Sequence, residues 1–353
     1  MDERLQAIFA ARYGISLDHL NGKHVSTARG YQSRNDPYGV HLGAKAMPEA
    51  FDGRVDALRI HRLERFSNSL AQLCHASHLA RRLGVKIVEI PDAWYVRPGK
   101  TTLADGLMLV NGTGHFSRLH TRLEGRFFYC RTLQSLAAPQ PGFRSLLSQL
   151  QPAIRVSSPD SALPDDHLVV HLRSGDVFEA DPHPAYYQPP LAFYLKVLKR
   201  RDWSHVHLVF EDFANPVVLA LTQYCQGRGI GVSLHSWGLD HDIAFLLRGR
   251  HFAAGRGTFM QGVIALAPFA STVYSFWPFD PDNVWGLEGV ENILIADRKG
   301  RYLKRIRPWH NTVRQRSLML SYPLKFLRES KPGAFRSRAS ARLSKPSSDT
   351  CSR

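Results

Sequence analysis

The chain has 353 residues, of which 44% are hydrophobic, 22% charged and 10% aromatic, with a formal net charge of +16. This is the composition of a globular protein, long enough for two domains and for a core that needs no covalent staple. No apolar run approaches the roughly 18 residues that span a bilayer, since the best stretch, Gly262 to Ala270, is broken by Pro268.

A first helix is expected over Leu5 to Tyr13, and the opening MDERLQAIFAARYG does not resemble a secretory leader. From Ala57 the pattern sharpens. Ala57 to Arg62 alternates as a strand, and Glu64 to Ser67 reads as a turn. Ser67 or Asn68 is expected to cap a helix carrying Leu70, Leu73, Cys74, Leu79 and Leu83 at helical spacing. Gly84 stops it at the position where a left-handed residue is favoured. Val85 to Ile90 is a second strand and Leu107 to Val110 a third, so this half begins as a β-α-β unit. Residues 139–166 hold five prolines with many Ser and Asp, and the domain boundary is placed there.

The second half alternates more clearly. Strands are expected at His167–Leu172, Val206–Phe210, Val232–Ser236, His251–Ala254 and Thr272–Phe276. Helices are expected at Leu191–Arg201, Asn215–Gln226, Asp240–Leu247 and Thr258–Leu266. That alternation implies a parallel sheet covered on both faces. The reading is an α/β protein: residues 1–150 form one domain, 151–328 a second, and 329–353 a disordered basic tail. Two such domains leave a cleft between them, and ligands of these sheets bind at the carboxyl ends of the strands.

The charge is uneven. Asp297 to Arg353 carries 16 Lys or Arg against 3 Asp or Glu, and the preceding 296 residues carry only +3. The basic end suits an anionic membrane surface or a phosphate backbone. Ser317 to Leu327 is open to two readings, packing against the fold or lying on a membrane, with Pro323 interrupting it. A nucleic-acid binder acting through the C-terminus is the rival from another class; its weakness is the nearly neutral body. Cys74, Cys130, Cys225 and Cys351 stand far apart with no CxxC pair, which fits free thiols in a reducing cytoplasm.

Several short patterns are set aside. Arg97 to Thr102 resembles a P-loop ending, but the first glycine it requires is Trp94. Asp240-His241-Asp242 reads as a helix N-terminus in preference to a metal-binding pair. His205 and His207 share one strand face and read as a surface pair. Trp277, Phe279 and Trp285 read as interdomain packing.

The segment with chemistry is His171-Leu172-Arg173-Ser174-Gly175-Asp176, delivered past the end of a buried strand. Arg173 is suited to two parallel hydrogen bonds to a phosphate, and Gly175 to close backbone approach. Asp176 either orients Arg173 or forms a plain loop salt bridge with it. HLRSGD resembles the His-x-Arg-x-x-Asp motif of the GDP-fucose-dependent fucosyltransferases of the alpha-1,2, alpha-1,6 and protein O-fucosyltransferase type. Arg65-Phe66-Ser67-Asn68-Ser69-Leu70 is similar to that group's Gly-Arg-Phe-Gly-Asn-Gln turn. Gly257-Thr258-Phe259 is similar to its Ser-Thr-Phe loop. The resemblance spans roughly residues 57–277.

It implies the GT-B architecture, two Rossmann-like domains facing across a cleft, with the donor held mainly by the second. It implies an inverting transfer of fucose or a related sugar, with a GDP-sugar as donor substrate and no metal or resident cofactor. The acceptor would be a saccharide or lipid-linked glycan, and the location the cytoplasm, with the basic tail touching the membrane's inner face. Arg173 would hold the diphosphate, with His171, Gly175 and Asp176 shaping its loop. Asn68 would reach the donor from the first domain. Asp212 would read the base or ribose. Asp242 would precede the last nucleotide loop, where Gly257, Thr258 and Phe259 offer a helix N-terminus to phosphate. Glu179 and Asp181 are the carboxylates placed to act as general base. The departures are Ser174 where the alpha-1,6 group has a second Arg, and Glu64, Ser67 and Ser69 in the first turn. A non-catalytic nucleotide-sugar binder is the further alternative.

Overall fold

The computed structural model describes residues 3–14, 41–43, 52–116, 121–127, 142–156, 158–276, 287–297 and 299–330. Trp277, Phe279, Trp285, Cys130, Cys351 and residues 331–353 lie outside these. The described chain builds two sheets. The first contains β1 (His41–Gly43), β2 (Ala57–Ile60), β3 (Ile87–Ile90), β4 (Gly99–Thr102), β5 (Met108–Asn111) and β6 (Arg122–Gly125). Its order is β1-β6-β2-β3-β5-β4, parallel except for the edge strands β1 and β4. The second contains β7 (His167–Leu172), β8 (His205–Phe210), β9 (Gly231–His235), β10 (His251–Ala254), β11 (Thr272–Phe276), β12 (Glu291–Asp297) and β13 (Leu327–Ser330). Its order is β13-β12-β11-β10-β7-β8-β9, with β13 alone antiparallel.

The helices are α1 (Glu3–Tyr13), α2 (Phe66–Leu83), α3 (Phe143–Leu150), α4 (Leu191–Leu198), α5 (Val217–Gln226), α6 (Leu239–Leu246), α7 (Phe259–Leu266), α8 (Arg301–Ile306) and α9 (Val313–Ser321). The α/β class and the parallel sheet expected from the alternation are present, and the structure holds two mostly parallel sheets, as the resemblance implied. Strand β7 shows why the pattern was legible: Leu168, Val170 and Leu172 enter one core while Val169 enters the other. A strand covered on both faces reads as a continuous apolar run.

Helix α2 packs across the two halves. Its expected caps are overturned, because it starts at Phe66 with Arg65 as N-cap and no side-chain capping bond. Ser67 and Asn68 turn instead toward α7. The Ser67 hydroxyl donates to the Phe259 carbonyl at 2.7 Å, and the Thr258 hydroxyl donates to Asn68 Oδ1 at 2.6 Å. Gly84 closes α2 at φ 68°, as expected. The boundary stretch hides α3, whose Phe143, Leu146, Leu147 and Leu150 are buried against α2 and α7. Strand β6 also escapes the pattern. Its Arg122 is buried, and it is there because Glu89 of β3 accepts from its Nε at 2.9 Å.

The basic C-terminal segment is partly built into the second sheet. Tyr302, Ile306, Trp309, Leu318, Met319, Tyr322 and Leu327 are buried, and Glu329 pairs with Ile295 in β13. Ser317 to Leu327 therefore packs, and the expected tail of 329–353 loses its first two residues to a strand. The His205–His207 surface pair is also corrected. His167 Nδ1 lies 3.0 Å from His207 Nε2, whose Nδ1 lies 3.1 Å from His235 Nε2, forming a partly buried ladder across β7, β8 and β9. Arg97 to Thr102 ends in β4, an ordinary hairpin partner of β5. Cys74 and Cys225 are buried free thiols. No helix among the described residues is long and apolar enough to cross a membrane.

Two outcomes follow from this packing. A Cβ at Gly262 would stand 2.6 Å from Ser67 Cβ and 3.1 Å from its Cα. The clash outweighs the helix propensity gained by alanine, up to about 1 kcal/mol. Gly262→Ala is expected to lose about 1–3 kcal/mol in urea unfolding. The second outcome concerns pH. Burial, with His205, His235 and His167 adding, pushes His207 down to about 3, and His205 and His235 are lowered as well. The unfolded chain takes up those protons near about pH 6.5, so stability is full above that pH and is lost as pH falls toward the folded values. Urea melts between about pH 7 and about pH 5 should show a fall that His207→Gln flattens by about 1–2 kcal/mol.

Candidate functional site

The carboxyl ends of β2 and β3 in one sheet and of β7, β8, β9 and β10 in the other open on one cleft of about 820 Å³. That volume suits a ligand of a few hundred daltons. Glu64, Arg65, Asn68 and Trp94 line it from the first half, and His171, Arg173, Glu211, Asp242, Arg256 and Thr258 from the second.

Arg173 leaves the end of β7 and is held on several sides. Its guanidinium lies 4.3 Å from the Tyr186 ring centroid. Its Nη2 is 3.3 and 3.2 Å from the two Asp176 oxygens. Its backbone carbonyl accepts from the Asn215 amide at 2.9 Å. A Cβ at Gly257, where φ is 134°, would sit 3.0 Å from Arg173 Nη1, so glycine lets α7 begin beside the guanidinium. The side chain of Thr258 is turned to Asn68, so no side chain caps the first turn of α7. The Gln261 N–H already donates to the Thr258 carbonyl at 3.0 Å, so that turn offers the amide dipoles of Phe259 and Met260 to an anion.

His171 lies beneath this group, its ring 5.1 Å from that of Phe259. Burial, with Arg173 adding, pushes its imidazole down to about 3, so it is neutral at physiological pH. Its buried Nδ1 has no hydrogen-bond partner among the described residues. Desolvation raises Asp242, which accepts from the Trp237 N–H at 3.2 Å.

The sequence-derived set divides in three. Asn68, His171, Arg173, Asp176, Asp242, Gly257, Thr258 and Phe259 all line the cleft. Gly175, at φ 57°, adjoins it, and a Cβ there would run into the Glu211 carboxylate. Asp212, Glu179 and Asp181 do not line it. Asp212 accepts from the Ser174 hydroxyl and, at 2.8 Å, from the Ala214 N–H. It anchors the loop by holding Ser174, which is buried. The cleft carboxylate at that strand end is Glu211, because adjacent residues leave a strand on opposite sides. Beyond the short turn Gly175–Phe178, the carbonyl of Glu179 accepts from Asn311, and Asp181 is exposed.

Three groups escaped the sequence reading. Arg256 stacks on Tyr187 at 3.9 Å and lines the cleft. Its signal was a cation between two glycines at a strand end. Trp94 is 44% exposed at the rim, stacked on Phe66 at 5.7 Å. Asn111 pins the loop that carries it, donating to the carbonyls of Ala93 and Val96 at 2.9 Å each. Arg65 reaches over the cleft, its Nη1 3.0 Å from Asp176 Oδ2.

No family model and no curated protein matches the chain. Two solved structures are similar to it. One is the crystal structure of a glycosyl transferase of family 9 from Veillonella parvula, with a TM-score of 0.36 and 10% identity; the match covers 76% of this chain and 97% of that one. The other is the heptosyltransferase WaaC of E. coli with ADP, with a TM-score of 0.33 and 11% identity; the match covers 68% of this chain and 93% of that one.

The placement of the acids has a direct consequence. Glu179→Gln and Asp181→Asn should leave nucleotide affinity, read by calorimetry, within about twofold of wild type, whereas Glu211→Gln should weaken it by about tenfold.

Proposed function

We propose that this protein is a glycosyltransferase that binds a nucleoside-diphosphate sugar, with GDP-fucose or a related GDP-sugar as the first donor to test. The observation that carries the reading is the setting of Arg173. One guanidinium, stacked on Tyr186, faces a cleft beside the N-terminus of α7, which no side chain caps. Those groups are complementary to a diphosphate. The resemblance of HLRSGD, of Arg65 to Leu70 and of Gly257-Thr258-Phe259 to the fucosyltransferase motifs supports the same reading, and supplies the donor expectation.

In the proposed reaction an acceptor hydroxyl attacks the sugar's anomeric carbon in a single inverting displacement. The new carbon–oxygen bond forms as the anomeric carbon–oxygen bond to the diphosphate breaks, the hydroxyl proton passes to solvent water, and the nucleoside diphosphate leaves with an additional negative charge. Arg173 and the first-turn amides of α7 stabilise that charge as it develops. Glu211 accepts hydrogen bonds from the ribose hydroxyls, in the place first assigned to Asp212. The acceptor, a saccharide or glycoconjugate, enters past Trp94 and the Tyr186 segment. The observation that favours a second reading, a non-catalytic nucleotide-sugar binder, is that Glu179 and Asp181 lie outside the cleft. A contact of residues 331–353 with anionic membrane belongs to the proposal as well; a deletion that tests it has to start after Ser330, because β13 ends there.

Thermal-shift screening against GDP, UDP, CDP and ADP tests the donor. A ligand at 100 times its dissociation constant adds about 2.7 kcal/mol, and GDP is expected to give the largest shift. Arg173→Ala should lower turnover by about 10²–10³ with the melting temperature preserved. A protein that binds GDP yet turns over no donor would be the binder. One stabilised by none of the four nucleotides would be neither.

A further inference from the structure

Resting on that reading, we propose that Asp176 is an internal counter-ion standing where the donor's diphosphate binds, and that Arg65 is the second guanidinium of the site, supplied from the opposite sheet.

One carboxylate is shared by two arginines. Asp176 Oδ2 lies 3.2 Å from Arg173 Nη2 and 3.0 Å from Arg65 Nη1. The two arginines come from different halves: Arg65 from the turn between β2 and α2, Arg173 from the end of β7. Their convergence on one acceptor brings two cations to a single spot in the cleft. The spot keeps an excess of positive charge, since one carboxylate neutralises only one of them. A diphosphate carries at least two negative charges and more acceptor oxygens, so it satisfies both guanidiniums better than Asp176 does.

The exchange is also mechanically simple. Arg65 is 76% exposed, and an exposed ion pair contributes little, so its hold on Asp176 is weak. Arg173 is also held by the Tyr186 ring and by Asn215 on its carbonyl, so it keeps its place when Asp176 leaves. The carboxylate therefore stands in the anion's place, tying the two halves together, and the donor takes over both arginines. This reverses the usual sense of a motif acid that merely orients its arginine. An orienting acid helps binding, and a counter-ion opposes it.

The sign of one substitution separates the two roles. Calorimetry would measure GDP and inorganic pyrophosphate binding to wild type, Asp176→Asn, Asp176→Ser, Arg65→Gln and the Asp176→Asn/Arg65→Gln double variant. Removing the counter-ion is expected to tighten both ligands about three- to fivefold. Arg65→Gln is expected to weaken them by about tenfold, and by at least as much in the Asp176→Asn background, where no carboxylate has to be displaced from Arg65. Weaker binding by both Asp176 variants, with unchanged circular dichroism, would overturn the counter-ion role. An Arg65→Gln effect that vanishes once Asp176 is Asn would show that Arg65 acts only through Asp176 and would overturn its role as a ligand. If neither wild type nor Asp176→Asn binds any of GDP, UDP, CDP, ADP or pyrophosphate, the nucleotide reading falls and takes this one with it. If wild type binds and Asp176→Asn is no tighter, this inference falls alone.

Discussion

Ser67 and Gly262 meet where helix α2 of the first half lies against helix α7 of the second. The absence of a side chain at Gly262 lets the two backbones approach closely, and the Ser67 and Thr258 hydroxyls bond across the gap. Burial reinforces the contact. Phe66, Leu70, Met260, Val263 and Ile264 belong to one continuous core that joins the first sheet to one face of the second. This seam sets the strand ends of both sheets around a common cleft. It also starts α7 beside Arg173, so the packing of two helices and the anion-binding geometry are one arrangement.

The cleft's electrostatics are arranged from outside it. Asp212, Ser174 and Asn215 fix the loop after β7 and take no part in lining the cleft floor beyond Ser174. Their hydrogen bonds hold a guanidinium in a partly dry place, where its field is stronger than in water. His171 is neutral there, because burial disfavours its charged form next to a permanent cation. A neutral imidazole keeps hydrogen-bonding capacity without adding to the repulsion on Arg173.

Charge is used in the same compensated way in the scaffold. Glu89 is buried in β3 with Arg59 at 2.7 Å and Arg122 at 2.9 Å. Removing one partner of such a buried group is far more damaging than removing all of it. The basic C-terminal segment similarly contributes an apolar side, Tyr302, Trp309, Met319 and Leu327, to the second core while its cations face outward. Its net charge alone suggested an appendage, because a charge count carries no information about which face of a helix is buried.

Element type and order were legible in the chain itself. The β–α alternation, the Gly84 stop, the buried strand β7 and the HLRSGD turn at its end all depend on residues within a few positions of one another, where backbone periodicity and sterics act. Helices α3, α8 and α9 and strands β1, β4, β6, β12 and β13 were not read from the chain: α3 sits among prolines, and β6 is charged until Glu89 meets Arg122. The site divides the same way. Arg173, His171 and Gly257 follow from their strand ends. The choice of Glu211 over Asp212, the distance of Glu179 and Asp181 from the cleft, and the reach of Arg65 to Asp176 follow only from the tertiary structure. Each depends on which way a side chain leaves its backbone, or on groups separated by a hundred residues or more. Those are settled when the two sheets dock, and no local pattern records that docking.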